Sequence, residues 1–305
     1  MVTAVPTVTT LFFAAAGLAA AAPQPPAPQP QASDQPIVVT GTADTHEAVK
    51  QFVRALTPTL FAGQISRFEH SVCPKVVGLP VEQSQAIEQR IRLVSKAAGI
   101  VVDKGKCDAD IVLIVTSDKK AFIEQLRHHK GEYFGDMASF RIRGLEREPG
   151  PAAAWEVRGP EVNAEGVPLD SDGSEVVAGL PDVPTNSTID QPSRLTDLDR
   201  PQFDAAVVIV ERWALVGMTV TQLADYVAMR ALTGANPSKL ANSAAPTILH
   251  VLDVPVGGVA PVTMTKWDFA FLKSFYHVIR YYHPSAQRSA ITKSVTATLE
   301  GGAGK

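Results

Sequence analysis

The sequence predicts an α+β fold, in which a mixed sheet with packed helices is followed by a mainly helical C-terminal part. Two short and almost wholly apolar runs, 110–116 and 205–211, are typical of strands, and the first of them should be covered on both faces of the sheet. Between and after these runs, apolar residues recur every three or four positions, which is the period of an amphipathic helix. The chain has 305 residues, of which 45% are hydrophobic, so it can bury a substantial core.

Residues 1–36 have the layout of an export signal followed by a tether. The apolar run 8–22 is rich in alanine and ends in small residues that suit signal-peptide cleavage. We predict a signal peptide over 1–22, a Pro/Gln-rich linker over 23–36, and a periplasmic or secreted mature protein. Residues 1–22 contain no Lys or Arg, so a disordered alanine-rich leader is the alternative. No later apolar run is long enough for a transmembrane segment after signal cleavage.

The first half of the folded region alternates strands with helices. Asp44 and Glu47 match a capping box at the start of a first helix. A second helix is expected between Pro80 and Gly99, because its apolar residues follow helical spacing and glycine commonly ends a helix. A third helix would carry Phe122, Ile123 and Leu126. Strands are predicted at 37–40, 67–73 and 110–116.

The middle of the chain interrupts this alternation. A short strand is expected at 155–157, and an acidic stretch rich in Pro, Asp, Ser and Gly follows it. An irregular stretch of this length in a compact domain is usually functional or disordered. We predict a mobile acidic surface insertion at about 165–202.

The C-terminal part is expected to be mainly helical after the strand at 205–211. Capping-box pairs predict the starts of two helices, one at Thr219 with Gln222 and one at Thr265 with Asp268. The second of these helices would run to Tyr282, and the spacing of its aromatic residues favours core packing over a ligand groove. A short helix at 248–252 and a last helix at 287–299 complete a single domain over 37–300, with a flexible tail at 301–305.

Cys73 and Cys107 are the two cysteines of the chain, and we predict that they form a disulfide. An oxidising compartment after export would favour the bond. Two inert buried thiols are the alternative. A zinc site is not expected, because two cysteines alone do not supply the ligand set that zinc requires.

The familiar catalytic and cofactor motifs are missing from the sequence. It contains no H-E-x-x-H, no histidine pair at i and i+4, no G-x-S-x-G and no phosphate-binding glycine loop. We therefore expect no metal and no cofactor. Residues 117–120 match S-x-x-K but favour a helix N-cap, and the acidic run 170–175 favours a solvated loop over a Ca²⁺ site. No basic patch is present, so no nucleic-acid partner is expected.

Two stretches carry a resemblance to known proteins. The run V-V-I-V-E…G-M-T-V-T-Q-L-A-D-Y-V-A-M-R-A-L within 207–232, and T-K-W-D-F-A-F-L-K-S-F-Y with Gln287 and Arg288, resemble uncharacterised exported proteins of alphaproteobacteria. The order of elements over about 36–300 also resembles a zincin-like peptidase domain. The resemblance implies a central helix over the first run. Such a peptidase would carry H-E-x-x-H there, whereas 222–229 hold no histidine, so the resemblance implies a scaffold without the metal site.

The sequence favours an exported, non-catalytic binding or scaffold protein on this degenerate zincin-like fold. Its partner would be an unknown envelope protein or a small ligand. The alternative is an exported hydrolase with a non-motif active site, for which Asp225, Tyr226 and His250 are the candidate catalytic residues. A concave pocket with converging polar groups and perturbed ionisation would indicate the enzyme, and an exposed apolar groove would indicate the binding protein.

Overall fold

A four-stranded mixed sheet organises the fold. The computed structural model describes residues 42–59, 64–163, 168–169, 199–240, 243, 245–255, 258–279 and 282–301. Its strands are β1 (Pro74–Val77), β2 (Ile111–Thr116), β3 (Ala152–Asn163) and β4 (Asp199–Glu211). Its α-helices are α1 (Thr42–Leu56), α2 (Val81–Ala97), α3 (Lys119–His129), α4 (Ser139–Glu146), α5 (Val220–Thr233), α6 (Lys266–His277) and α7 (Pro284–Gly301).

The sheet has the strand order β1-β2-β4-β3. β1, β2 and β4 run parallel, and β3 pairs antiparallel with β4 at the edge of the sheet. After β4, the described chain forms helices and their connections. The predicted α+β class, with a mixed sheet and a mainly helical C-terminal part, is therefore confirmed.

Helices cover both faces of the sheet. Alternate residues of β4 point to opposite faces, so Ala206, Val208 and Val210 join a large core with α1, α2, α5, α6 and α7. Val207 and Ile209 instead join a smaller core with α3 and α4. The apolar run of β4 is therefore explained by burial on both faces of the sheet.

Three helix starts agree with the sequence. Thr219 and Gln222 form a capping box at α5, and Thr265 with Asp268 forms one at α6. At α3, the side chain of Asp118 accepts a hydrogen bond from the backbone of Ala121, so the S-x-x-K stretch is a helix cap. Gly234 ends α5 in the left-handed conformation with φ 65°, which favours glycine.

The strand predicted at 67–73 is wrong. The regular pairing begins only at β1, and Val72 forms one isolated bridge with Val102. Residues 67–71, before that bridge, form no strand and are held largely by hydrogen bonds from side chains. The guanidinium of Arg67 bonds the carboxylate of Glu69 and donates to the backbone carbonyl of Phe275. This segment is held by a buried charge network, which strand periodicity cannot reveal.

Other boundaries also differ from the predictions. α1 begins at Thr42, so Asp44 lies within its first turn and is not the N-cap. α6 ends at His277 because Val278 is extended, with φ −66° and ψ 149°. The strand at 155–157 is part of the longer β3, residues 199–202 belong to β4, and α7 includes residue 301. The strand at 37–40, the rest of the tail and most of the acidic insertion lie outside the described residues.

The described residues belong to one compact unit, which spans residues 40–305. A disulfide joins Cys73 to Cys107, as predicted, and closes a loop that contains β1 and α2. Within the described ranges, no helix combines the length and apolar character that crossing a membrane requires.

Candidate functional site

Two of the three candidate catalytic residues from the sequence lie next to each other on α5. Asp225 is fully buried, and its two oxygens accept hydrogen bonds from Arg90 (2.7 and 3.0 Å), from the hydroxyl of Thr263 (2.7 Å) and from the backbone of Met264 (2.6 Å). Four donors occupy this carboxylate. The arrangement is that of a structural ion pair joining α5 to α2 and to the loop before α6.

Tyr226 and His250 have different surroundings. Tyr226 is buried, and its hydroxyl accepts a hydrogen bond of 3.1 Å from Nη1 of Arg230. His250 is half-buried in the 3₁₀ turn Ile248–His250, with Nδ1 3.5 Å from Oδ2 of Asp253. In the described part of the chain, no hydrogen bond links Asp225, Tyr226 and His250, so the structure does not assemble them into one catalytic group.

Arg230, which contacts Tyr226, lines a concave pocket of about 400 Å³ beside the edge strand β3. We call it the edge pocket. It is formed by β3, by α4 with the turn before it, by the segment between α4 and β3, and by the end of α5. Its ionisable lining residues are Asp136, Arg141, Glu148, Glu156, Arg158 and Arg230.

Arg230 is the most deeply placed charge of the edge pocket. It stands on the last turn of α5 and is only 4% exposed. Its guanidinium donates to the hydroxyl of Tyr226 and lies 5.9 Å from the centre of that ring. Nε is shielded from solvent and bonds no acceptor within the described ranges. A buried arginine with an unused donor is suited to hold an anionic group.

Glu148 and Glu156 contribute two carboxyl groups with perturbed ionisation. Burial raises the pKa of Glu156 to about 7, and the positive charge of Arg230 partly offsets that rise. Burial also raises the pKa of Glu148, against the influence of Arg230 and Lys119. No ion pair joins either carboxylate to Arg230 among the described residues, so both act on it across the pocket.

Lys119 fixes the segment that carries Glu148. Its Nζ donates to the backbone carbonyls of Glu148 (2.6 Å), Gly150 (2.8 Å) and Ala152 (3.4 Å). Burial lowers the pKa of this lysine, while the charges of Glu148 and Glu211 act in the opposite direction. Lys119 therefore holds the wall of the pocket between α4 and β3 in place.

The remaining ionisable residues lie toward the rim. Arg158 bonds the carboxylate of Glu161 at 2.6 Å and lies 3.9 Å from Asp136. Arg141 is exposed on α4. The edge pocket therefore contains a buried cation, Arg230, a cation paired with a carboxylate, Arg158, and an exposed cation, Arg141. It also contains two carboxyl groups whose pKa values are raised by burial.

A second concave feature is apolar. A groove of about 250 Å³ lies between the start of α2 and the start of α5, and its lining includes Leu79, Ile87, Met218 and Leu223. Val216, which is 67% exposed, also lines it. The described residues thus form both the polar pocket expected of an enzyme and the apolar groove expected of a binding protein, so the presence of these two features does not by itself distinguish the two functions.

A search of the described residues finds no group of three His, Cys, Asp or Glu side chains that could hold a metal ion. Comparisons with protein-family models, with curated proteins and with solved structures find no match to this chain.

The sequence analysis missed Arg230, Glu148 and Glu156. One signal was visible, because Arg230 interrupts the apolar run V-A-M-R-A-L of a helix that is buried on nearly every side. Burial of a charge requires a partner or a function. The two glutamates gave no such signal. Glu148 lies in a connection between elements, and at Glu156 the alternation of polar and apolar residues is ordinary for a strand with one exposed face.

Proposed function

We propose that this protein is a non-catalytic binding protein of the cell envelope, and that the edge pocket binds a small ligand with an acidic group. The single observation that carries the proposal is the buried guanidinium of Arg230, which lines the pocket with an unused donor. The pocket volume of about 400 Å³ is within the range of roughly 300–1,000 Å³ for small-molecule sites.

The ionisation of the pocket also supports an anionic ligand. With Glu156 near half-protonated at pH 7, the pocket carries less negative charge than its composition implies. Arg141 at the rim and Arg230 inside would act on the same acidic group. Hydrogen bonds from a guanidinium to a carboxylate or phosphate are among the strongest in proteins.

Calorimetric titration with acetate, succinate and inorganic phosphate tests this proposal. The variant Arg230→Gln should bind the preferred anion roughly 10- to 100-fold more weakly, because hydrogen bonds to charged groups contribute about 1.5–3 kcal/mol. Arg143→Gln is the matched control, since Arg143 is exposed on α4 and does not line the pocket. Equal binding by both variants, or no binding of any anion by the unaltered protein, would contradict the proposal.

A hydrolase is the second candidate, and one observation favours it. Glu148 and Glu156 both have raised pKa values in a single pocket, and a carboxyl group with a pKa near 7 can act as a general acid or base. Chromogenic ester, glycoside and peptide substrates would detect such an activity. Turnover that Glu156→Gln abolishes, with folding and anion binding retained, would favour the hydrolase over the binding protein.

The envelope location and the ancestry are parts of the proposal. The apolar leader supports export, and mass spectrometry of the protein from its native host should find a mature N-terminus between Ala20 and Pro23. An intact Met1 on cytosolic protein would contradict export. The order of elements supports a zincin-like scaffold that lacks its metal motif, with α5 in the place of the central helix.

A further inference from the structure

The edge pocket lies along a strand whose outer side has no neighbouring strand in the described sheet. β3 is the last strand in the order, and Ala154 and Glu156 line the pocket. An edge strand presents unpaired backbone N–H and C=O groups that can pair with an added strand. Such pairing requires that backbone groups of β3 face the pocket.

The register of β3 with β4 determines which backbone groups of β3 face outward. The backbone N–H of Glu211 donates to the carbonyl of Pro151 at 2.8 Å, so this opposed pair is a hydrogen-bonded one. In an antiparallel ladder, hydrogen-bonded pairs alternate with pairs whose backbone groups point away from the partner strand. Residues 153, 155 and 157 therefore bond β4. The backbone groups of 152, 154 and 156 point to the outer edge, where the pocket lies.

Two features limit the length of this outer edge. At one end, the carbonyl of Ala152 already accepts a hydrogen bond from Lys119. At the other end, the register of β3 shifts after Val157. The carbonyl and N–H of Ala154 and the carbonyl of Glu156 lie between these limits, and in the described chain no backbone group bonds them. This length suits an added segment of about three residues, at 3.3–3.4 Å per residue.

We propose that the occupant of the edge pocket is the extended C-terminal segment of a peptide, which adds to β3 as a further strand and places its terminal carboxylate at Arg230. Charge complementarity selects this occupant, since the buried guanidinium lines the same pocket as the free backbone groups. Backbone pairing would supply affinity, and the carboxylate would fix the end of the segment. The inference rests on the proposed function and names its ligand class.

The probe is the peptide acetyl-Ala-Val-Ala-Val with a free carboxylate, titrated into the full chain. Its C-terminal amide should bind at least about tenfold more weakly, which corresponds to the loss of one charged hydrogen bond. Two further peptides each carry one backbone N-methyl group, at adjacent residues. Only alternate N–H groups of an added strand face its neighbour, so one of the two should lose about tenfold in affinity and the other should bind like the parent.

Ala154→Pro tests the same contact from the protein side. Proline is tolerated in an edge strand where the N–H faces outward, and it removes the donor that the peptide would use. Affinity for the free-acid peptide should fall about tenfold relative to the unaltered protein. If this variant does not fold, the backbone amide resonance of Ala154 in the unaltered protein provides the second measurement, and it should shift on peptide addition.

The outcomes separate the two proposals. If both N-methylated peptides bind like the parent, or if succinate binds and no peptide does, strand addition is wrong and anion binding stands. If the amide binds like the acid and Arg230→Gln changes nothing, the proposed function itself fails. A protein that is dimeric through β3 and is dissociated by the peptide would show that a second copy of the chain occupies the edge, which overturns the inference.

Discussion

Arg230 shows how one residue can connect the core to the edge pocket. It is on a helix whose neighbouring residues are almost all buried, and its guanidinium contacts the hydroxyl and the ring of Tyr226 there. The carboxyl groups of Glu148 and Glu156 line the same pocket, and the charge of Arg230 lowers the pKa of each against the effect of burial. A guanidinium held this way needs little rearrangement when an anion arrives, which reduces the entropic cost of binding.

The coupling between Arg230 and Glu156 gives a first prediction. The positive charge of Arg230 opposes the rise in the pKa of Glu156 that burial causes. Arg230→Gln should therefore raise that pKa above its value of about 7, whereas the control Arg143→Gln should leave it unchanged. Titration of the ¹³C-labelled carboxyl groups by NMR measures both. An unchanged pKa of Glu156 in Arg230→Gln would show that the two side chains are not coupled across the pocket.

Glu156 also predicts the pH dependence of stability. Its pKa is about 7 in the folded protein against 4.5 for an ordinary glutamate, so the folded state binds the proton more tightly than the unfolded state. The free energy of unfolding should fall as pH rises from about 4.5 to 7, with a slope of at most about 1.4 kcal/mol per pH unit from this group.

Urea denaturation at several pH values measures this slope. Asp110, whose pKa burial raises to about 6, contributes in the same direction at lower pH. Between pH 6 and 7, Glu156→Gln should therefore flatten the curve more than Asp110→Asn does. A curve that rises through this interval in the unaltered protein and is unchanged in Glu156→Gln would contradict the assignment.

Sequence reasoning reached the correct helix for the site but not the site residues. Asp225 and Tyr226 are adjacent, so they point in directions about 100° apart on α5. Tyr226 contacts Arg230 at the pocket, whereas Asp225 faces α2. Glu148 comes from a short connection and Glu156 from an edge strand, and only the folded chain brings them to the same pocket.

At the scale of elements, α5 is the helix that ties the molecule together. Its N-terminus is fixed by a capping box, and the side chain of Gln222 also donates to the carbonyl of Pro261 at 2.8 Å. Asp225 binds Arg90 of α2 and the loop before α6. These contacts place the last turn of α5, and with it Arg230, against β3.

The ion pair of Asp225 gives an element-scale prediction. Asp225→Ala should lower the free energy of unfolding by about 3 kcal/mol, because it leaves the donors of Arg90, Thr263 and Met264 without their acceptor. The loss should not be larger, since the side chain of Arg90 is 35% exposed and water can replace part of the contact. Urea denaturation measures the change. Asp108→Ala, at an exposed loop position, is the control and should leave stability unchanged.

The elements that the sequence predicted well are those whose pattern is long or is marked by caps. α2 has three buried apolar residues at helical spacing, Ile87, Ile91 and Val94, and α5 and α6 have capping boxes. α4 was missed because it is only eight residues long, contains Gly144 and buries a single residue, Ile142. A helix this short is held by tertiary contacts rather than by its own propensity.

At the scale of the whole molecule, the position of β3 is what creates the site. β3 precedes β4 in the chain, yet it lies outside β4 and antiparallel to it, at the free edge of an otherwise parallel sheet. The composition of these strands indicates burial but not their order, because order depends on contacts between distant residues. The α+β class could therefore be predicted, and the edge pocket could not.

The disulfide gives the last prediction, and it concerns the opposite side of the sheet. Cys73 precedes β1 and Cys107 precedes β2, so the bond joins the entrances of two adjacent parallel strands. Because the cysteines have a sequence separation of 34, loss of the bond should lower the free energy of unfolding by about 3–4 kcal/mol in the chain-entropy model.

Urea denaturation of Cys73→Ser/Cys107→Ser measures this loss, and each single variant should lose about as much as the double variant because either change removes the whole bond. Binding of the free-acid peptide to the folded fraction should be unaffected, because neither cysteine lines the edge pocket. If treatment with a reductant leaves the denaturation midpoint of the unaltered protein unchanged, the bond does not stabilise the fold. If the Cys73→Ser/Cys107→Ser variant also has an unchanged denaturation midpoint, β1 and β2 are stabilised by their apolar core alone.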